Sequence, residues 1–230
     1  MQVPQALSIV GVMKNILCFG DSNTWGYDPA ATAAAPAPVR YDSATRWTGV
    51  LSAELGADFR VIEEGQNGRT TVHEDPTAWA SRNARTYLPA CLESHKPLDL
   101  VIVMLGTNDL KSMFGVAPGE IATGVGTLLR IIAGAECGVS GAAPRALVVC
   151  PPAIGDLSAL PELAAKLQGA REKSLHLPAY FSAIAQQHHA EFLNAQEIVV
   201  PSRVDGIHLD ARDHQALGRA LAAKVKKVLA

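Results

Sequence analysis

Ile16-Leu17-Cys18-Phe19-Gly20-Asp21-Ser22-Asn23-Thr24 is the stretch whose reading decides the fold. An apolar run of strand length stops at Gly20, and a small hydroxyl residue follows two positions later. In an open α/β sheet, ligands bind outside the carboxyl ends of the strands. Ser22 therefore stands where a nucleophile is presented.

The same pattern, an apolar run followed by a polar loop, recurs along the chain. Residues 59–62 read as a second strand, followed by Glu63-Glu64-Gly65-Gln66-Asn67-Gly68-Arg69-Thr70-Thr71. Residues 98–105 form the clearest buried strand, and their apolar character, unbroken from Leu100 onward, suits a central parallel strand covered on both faces. That strand ends in Gly106-Thr107-Asn108-Asp109. Residues 146–150 and the short run 191–194 complete the set, and a polar segment containing Asp205-Gly206-Ile207-His208 follows.

Helical periodicity fills the intervals. Trp47, Val50, Leu51 and Leu55 recur at spacings of three and four, and Gly56 is a C-terminal stop. Residues 118–133 form an amphipathic helix with Pro118 in its first turn. Residues 79–94 lean helical, with Pro89 arguing for a kink or an earlier stop. Residues 161–189 are helical with a break near Pro178, and the last helix turns Leu217, Leu221, Val225 and Val228 inward, capped by Asp210 or Asp213. Residues 27–46, interrupted by Pro29, Pro36 and Pro38, read as a long loop. Strand and helix alternate about five times, which predicts a parallel sheet with helices on both faces. The expectation is one domain over residues 13–230, preceded by a leader over residues 1–12.

Composition narrows the function classes. With 20 basic against 22 acidic residues the formal charge is −2, without the basic surplus expected of a nucleic-acid binder. No apolar run approaches the roughly 20 residues of a membrane helix. Cys18, Cys91, Cys137 and Cys150 have no C-x-x-C spacing, so they read as buried thiols rather than zinc ligands. Free thiols suit the cytosol, and the first residues lack the pattern of a signal peptide, so a cytoplasmic location is expected.

Gly20-Asp21-Ser22, Gly68, Gly106-x-Asn108-Asp109 and Asp205-x-x-His208 together resemble, in order, the four sequence blocks of the SGNH (GDSL-type) hydrolase superfamily. The match runs from about residue 15 to the C-terminus. The longer runs Cys18–Tyr27, Glu64–Thr71, Met104–Asp109 and Asp205–Asp210 are similar to the bacterial arylesterase and acyltransferase branch. The resemblance implies a flavodoxin-like three-layer α/β sandwich and hydrolysis of short acyl esters, notably acetates, with transfer to alcohols or peroxide in some members. It also implies roles: Ser22 as nucleophile, His208 as base and then acid, Asp205 as orienting acid. The oxyanion donors would be the backbone N–H groups of Ser22 and Gly68 and the Asn108 amide. No metal or organic cofactor is implied. The partner is a small-molecule ester, and the assembly a homo-oligomer, an octamer being one form in which neighbouring subunits narrow the site entrance.

Two departures stand out. Asn23 occupies a position where the branch commonly has leucine, leaving the acyl-pocket preference open, and the Ala/Pro-rich loop at 29–38 is unusual. Asn23, Trp25 and Tyr27 are candidate pocket residues, although core packing serves equally for Trp25, Tyr27 and Trp47. Ser22 alone would read as a helix cap, and Asn108-Asp109 as a turn. Asp21 and Asp109 read as braces for the site loops. His188-His189 carries little metal signal, because adjacent residues face apart on a helix. Carbohydrate deacetylation and thioester cleavage remain rival uses of the same machinery. A nucleotide-binding module is disfavoured, since neither G-x-x-x-x-G-K-[ST] nor a strand-following G-x-G-x-x-G occurs.

Overall fold

Lys14–Gly20 (β1) is a strand because its middle carries side chains that must be buried on both faces, and Ile16 to Phe19 are fully buried. A computed structural model of the chain describes residues 13–230; the leader expected over residues 1–12 lies outside the described residues. After β1 come the single turn Ser22–Trp25 (α1), Pro29–Ala33 (α2), Trp47–Leu55 (α3), Phe59–Gly65 (β2) and Ala84–His95 (α4). Leu100–Met104 (β3), Pro118–Gly134 (α5), Arg145–Cys150 (β4), Pro161–Lys166 (α6), Ala170–Gln187 (α7), Glu191–Asn194 (β5) and Ala211–Val228 (α8) complete the order.

The five strands are all parallel, in the order β2-β1-β3-β4-β5, which is the doubly wound arrangement of a flavodoxin-like fold. The two-residue period of the strands divides the core. Leu17, Phe19, Val101, Val103 and Val148 face α4, α5 and α7, while Ile16, Cys18, Leu100, Ile102 and Val149 face α3 and α8. Order reverses at β1, so the crevice outside the ends of β1 and β3 is the expected ligand position. No helix among the described residues is long and apolar enough to cross a membrane.

Several local expectations are corrected. Residues 29–33 are helical, because Asp28 accepts a hydrogen bond from the Ala31 N–H (2.9 Å) and Pro29 occupies the first turn, where its missing N–H costs nothing. Pro89 lies inside α4 without ending it, since Leu88, Cys91 and Leu92 pin both sides of the proline to the core. The long helical stretch breaks at residues 167–169 rather than at Pro178, whose neighbours Leu177 and Phe181 are fully buried. Asp210 is the N-cap of α8 as expected, but through its carbonyl, which accepts from the Asp213 (2.9 Å) and His214 (3.0 Å) N–H groups, while the Asp213 carboxylate accepts from the Val200 N–H (3.3 Å).

Phe181 fills the space between α7 and the β3 end at Gly106. Phe181→Ala is expected to cost about 3–5 kcal/mol of stability, measured by urea unfolding. A loss below about 1 kcal/mol would show that this layer is not tightly packed.

Candidate active site

Gly20 ends β1 and Asp21 caps the turn that follows, its Oδ1 accepting from the Asn23 N–H at 3.0 Å. Ser22 is thereby the first residue of α1. Its Oγ lies 2.8 Å from Nε2 of His208, whose Nδ1 lies 2.6 Å from Oδ2 of Asp205. Asp205 Oδ1 accepts from the backbone N–H groups of Ile207 and His208, both at 2.9 Å. The carboxylate accepts only, so it keeps the ring proton on Nδ1 and leaves the Nε2 lone pair for the Ser22 hydroxyl. Burial pushes the Asp205 carboxyl up, but the hydrogen bonds and charge of His208 outweigh it and hold the group below its ordinary value.

Tyr27 stacks on the His208 ring with centroids 3.8 Å apart and fixes its plane. Asn23 clamps the same loop from below. Its Oδ1 accepts from the Leu209 N–H at 3.1 Å and its Nδ2 donates to the Ile207 carbonyl at 3.3 Å. The bonds on either side of His208 are thus tied to the residue beside Ser22. This corrects the expectation of a pocket role, because Asn23 is buried beneath the site and does not line the cavity. Trp25 does not line it either, since its ring is turned to the Arg40 guanidinium, 5.3 Å away. Trp47 is buried in the core.

Two backbone N–H groups at the cavity, those of Ser22 and Gly68, donate to no protein acceptor among the described residues. Gly68 has φ +81°, a conformation that a side chain would strain, and it is this turn that presents its N–H. The Asn108 side chain joins them, its Nδ2 held by the Arg69 carbonyl (3.1 Å) and by Asp21 Oδ2 (3.4 Å). Burial pushes the Asp21 carboxyl up to about 6, against the pull of the Asn23 N–H, His208 and Arg69. Asp109 is fully buried and binds the N–H (3.0 Å) and Oγ (2.5 Å) of Thr71, tying the β3 loop to the β2 loop.

Ser22, Gly68, Asn108 and His208 line one cavity of about 220 Å³, with Tyr27 on its wall and Asp205 behind the imidazole. Sequence reading missed three groups there. Arg69 is buried and donates from Nη1 to the carbonyls of Gly20 (2.8 Å) and Glu64, bridging the ends of β1 and β2. Leu163, Leu167 and Ile207 supply an apolar wall, and Lys111 and Lys166 the rim. Only the lone basic residue after the Asn67-Gly68 pair hinted at Arg69.

A doubly wound sheet that gathers a serine, a histidine and an aspartate in this geometry defines the serine-hydrolase class of site. The model of the GDSL-like lipase/acylhydrolase family matches residues 18–216, and the chain belongs to that family. Est24, a carbohydrate acetylesterase from Sinorhizobium meliloti, is 42% identical with TM-score 0.88, the match covering 94% of this chain and 99% of that one. The aryl esterase of M. smegmatis is 42% identical with TM-score 0.87, covering 93% and 99%. A second carbohydrate acetylesterase family member from S. meliloti is 34% identical with TM-score 0.88, covering 94% and 99%. No curated protein matches the chain.

Asn23→Leu leaves the Ile207 carbonyl and Leu209 N–H without their partner. The expected outcome in an aryl acetate assay is a kcat loss of about 10- to 100-fold, the scale of a small misplacement of a catalytic group. KM should stay within about twofold, since uniform binding is untouched. A raised KM with unchanged kcat would assign Asn23 to substrate binding instead.

Proposed function

We propose that the protein is a serine esterase of short acyl groups. The observation that carries this reading is the chain of contacts Ser22 Oγ–His208–Asp205, at 2.8 and 2.6 Å, opening on two unpaired backbone donors. Ser22 Oγ attacks the ester carbonyl while His208 Nε2 takes its proton, and Asp205 stabilises the imidazolium that results. The developing oxyanion is received by the N–H groups of Ser22 and Gly68 and by the Asn108 amide hydrogen that leaves its long 3.4 Å contact with Asp21. Collapse returns the His208 proton to the leaving alcohol, and water, activated by the same imidazole, then releases the acid. A cavity of about 220 Å³ suits an acetyl-sized acyl group with a modest alcohol. Transfer to an alcohol or to peroxide is capture of the same acyl-enzyme by another nucleophile, favoured where the wall of Leu163, Leu167 and Ile207 lowers the activity of water.

A second reading concerns the alcohol. Asn67 Oδ1 and Thr107 Oγ are buried with no protein partner, and both residues line the cavity. Lys111 is neutralised by Asp75 (2.7 Å), whereas Lys166 has no carboxylate partner among the described residues. A lining that mixes Asn67, Thr107 and Asn108 with a lysine at the rim favours a hydroxyl-rich alcohol such as a sugar. The four cysteines are free and buried, which supports the cytoplasm as location.

Hydrolysis of an aryl acetate is expected to be abolished by Ser22→Ala and reduced about 10²- to 10³-fold in kcat by Asn108→Ala. An active Ser22→Ala protein would refute the mechanism. In the same assay an acetylated sugar should exceed the aryl acetate in kcat/KM, and the reverse ranking would remove the sugar reading.

A further inference from the structure

Behind the site, on the face of the sheet covered by α4, three side chains of different chemistry converge. Cys91 and His95 are four residues apart on α4 and so lie on one face of the helix. Glu64 reaches them from the end of β2. One ligand atom from each, a thiol sulfur, an imidazole nitrogen and a carboxylate oxygen, lies within 4.8 Å of the others. None of the three lines the Ser22 cavity.

We propose that Glu64, Cys91 and His95 form a binding site for a soft divalent cation, zinc by the nature of its donors. Thiolate, imidazole and carboxylate are the ligand types of zinc, and three protein ligands leave a fourth position for water. Bonds of about 2.0–2.3 Å about a tetrahedral ion separate ligand atoms by about 3.3–3.7 Å. The three ligand atoms, within 4.8 Å of one another, close to that range around the ion. The His95 Nε2–Glu64 Oε1 contact, now 2.8 Å, opens by about half an ångström.

The surroundings fit the assignment. Tyr87 donates its hydroxyl to Glu64 Oε2 at 3.1 Å, holding the carboxylate from the second side. Cys91 is buried, while the side chains of His95 and Glu64 are 26% and 20% exposed, so an ion approaches from solvent between these two and meets the sulfur last. The charged groups facing the thiol are the Glu64 carboxylate and the Arg69 guanidinium, and burial together with Glu64 pushes the thiol up to about 12. The ion displaces that proton: the S–H bond breaks, a metal–sulfur bond forms, and the proton leaves to solvent. His95 binds through Nε2 with its proton on Nδ1, and nothing is oxidised or reduced. Two anionic ligands then offset the dication beside Arg69.

The test uses the full chain and the metal alone. Titration with cobalt(II) should produce a thiolate-to-metal charge-transfer band that Cys91→Ala removes. Zinc titration calorimetry in buffers of different ionisation enthalpy should report release of about one proton per ion near neutral pH. His95→Ala, at a partly exposed position that keeps the fold, should weaken zinc binding at least about tenfold. Absence of the cobalt band in the wild type overturns the proposal. So does zinc affinity unchanged by His95→Ala, which would place the ion at other surface histidines such as His188 or His189. If Cys91→Ala fails to fold, the wild-type band and the His95→Ala titration decide the matter.

Discussion

The register of β1 against its two neighbours is the constraint on which the site depends. Gly20 stands opposite Gly65 of β2 and Met104 of β3, so three strands end at one level and release their loops together. Those loops carry Ser22, Gly68 and Asn108. A slip of one residue would turn every side chain of β1 to the other face of the sheet, which two buried cores forbid. Close approach at this row is permitted by size: a Cβ at Gly65 would stand 2.2 Å from the Trp25 nitrogen, so only glycine lets α1 settle onto the β2 end. Arg69 then ties the row across, bonding the Gly20 and Glu64 carbonyls while its guanidinium stacks over Phe19. The fourth element, the loop bearing Asp205 and His208, comes from beyond β5 and depends on Asn23 and Tyr27 for its position.

Two carboxylates near Ser22 are given opposite electrostatic settings. Asp205 faces the imidazole and two backbone N–H groups, which overcome its burial and hold it below its ordinary value, the setting its proposed role beside an imidazolium requires. Asp21 is fully enclosed, and burial carries it to about 6 despite its bonds to the Asn23 N–H and Asn108 amide. It touches no position a substrate can reach, and its work is to hold the turn of α1 and the Asn108 side chain. Another member of the buried polar shell, His214, is driven down to about 3 by enclosure, so it packs as a neutral ring against Tyr41 and accepts from the Trp47 N–H.

Much of this was legible in the chain because the physics involved is local. Continuous apolar runs announce strands buried on both faces, and polar blocks directly after them announce a shared edge. Ser22, Gly68, Asn108, Asp205 and His208 fall into those blocks. What was not legible is what depends on partners far away in sequence. The Asn23 clamp needs Leu209, 186 positions on, and nothing at position 23 says that the amide points down rather than into the pocket. Pro89 and Pro178 read locally as helix breakers, but burial of Leu88, Leu92, Leu177 and Phe181 outweighs one missing hydrogen bond in each helix. The Glu64–Cys91–His95 group has no motif at all, since it exists only where the β2 end meets one face of α4.

The central claim is that Ser22 is the acyl-accepting nucleophile, activated by His208 within a hole formed by three loops. Reaction with an activated alkylphosphonate ester, which mimics the tetrahedral intermediate, followed by peptide mass spectrometry tests it most directly. The account predicts a single adduct per chain, on Ser22, with esterase activity lost in proportion to labelling. An adduct on another residue that accompanies inactivation, or full activity in protein labelled at Ser22, would contradict it.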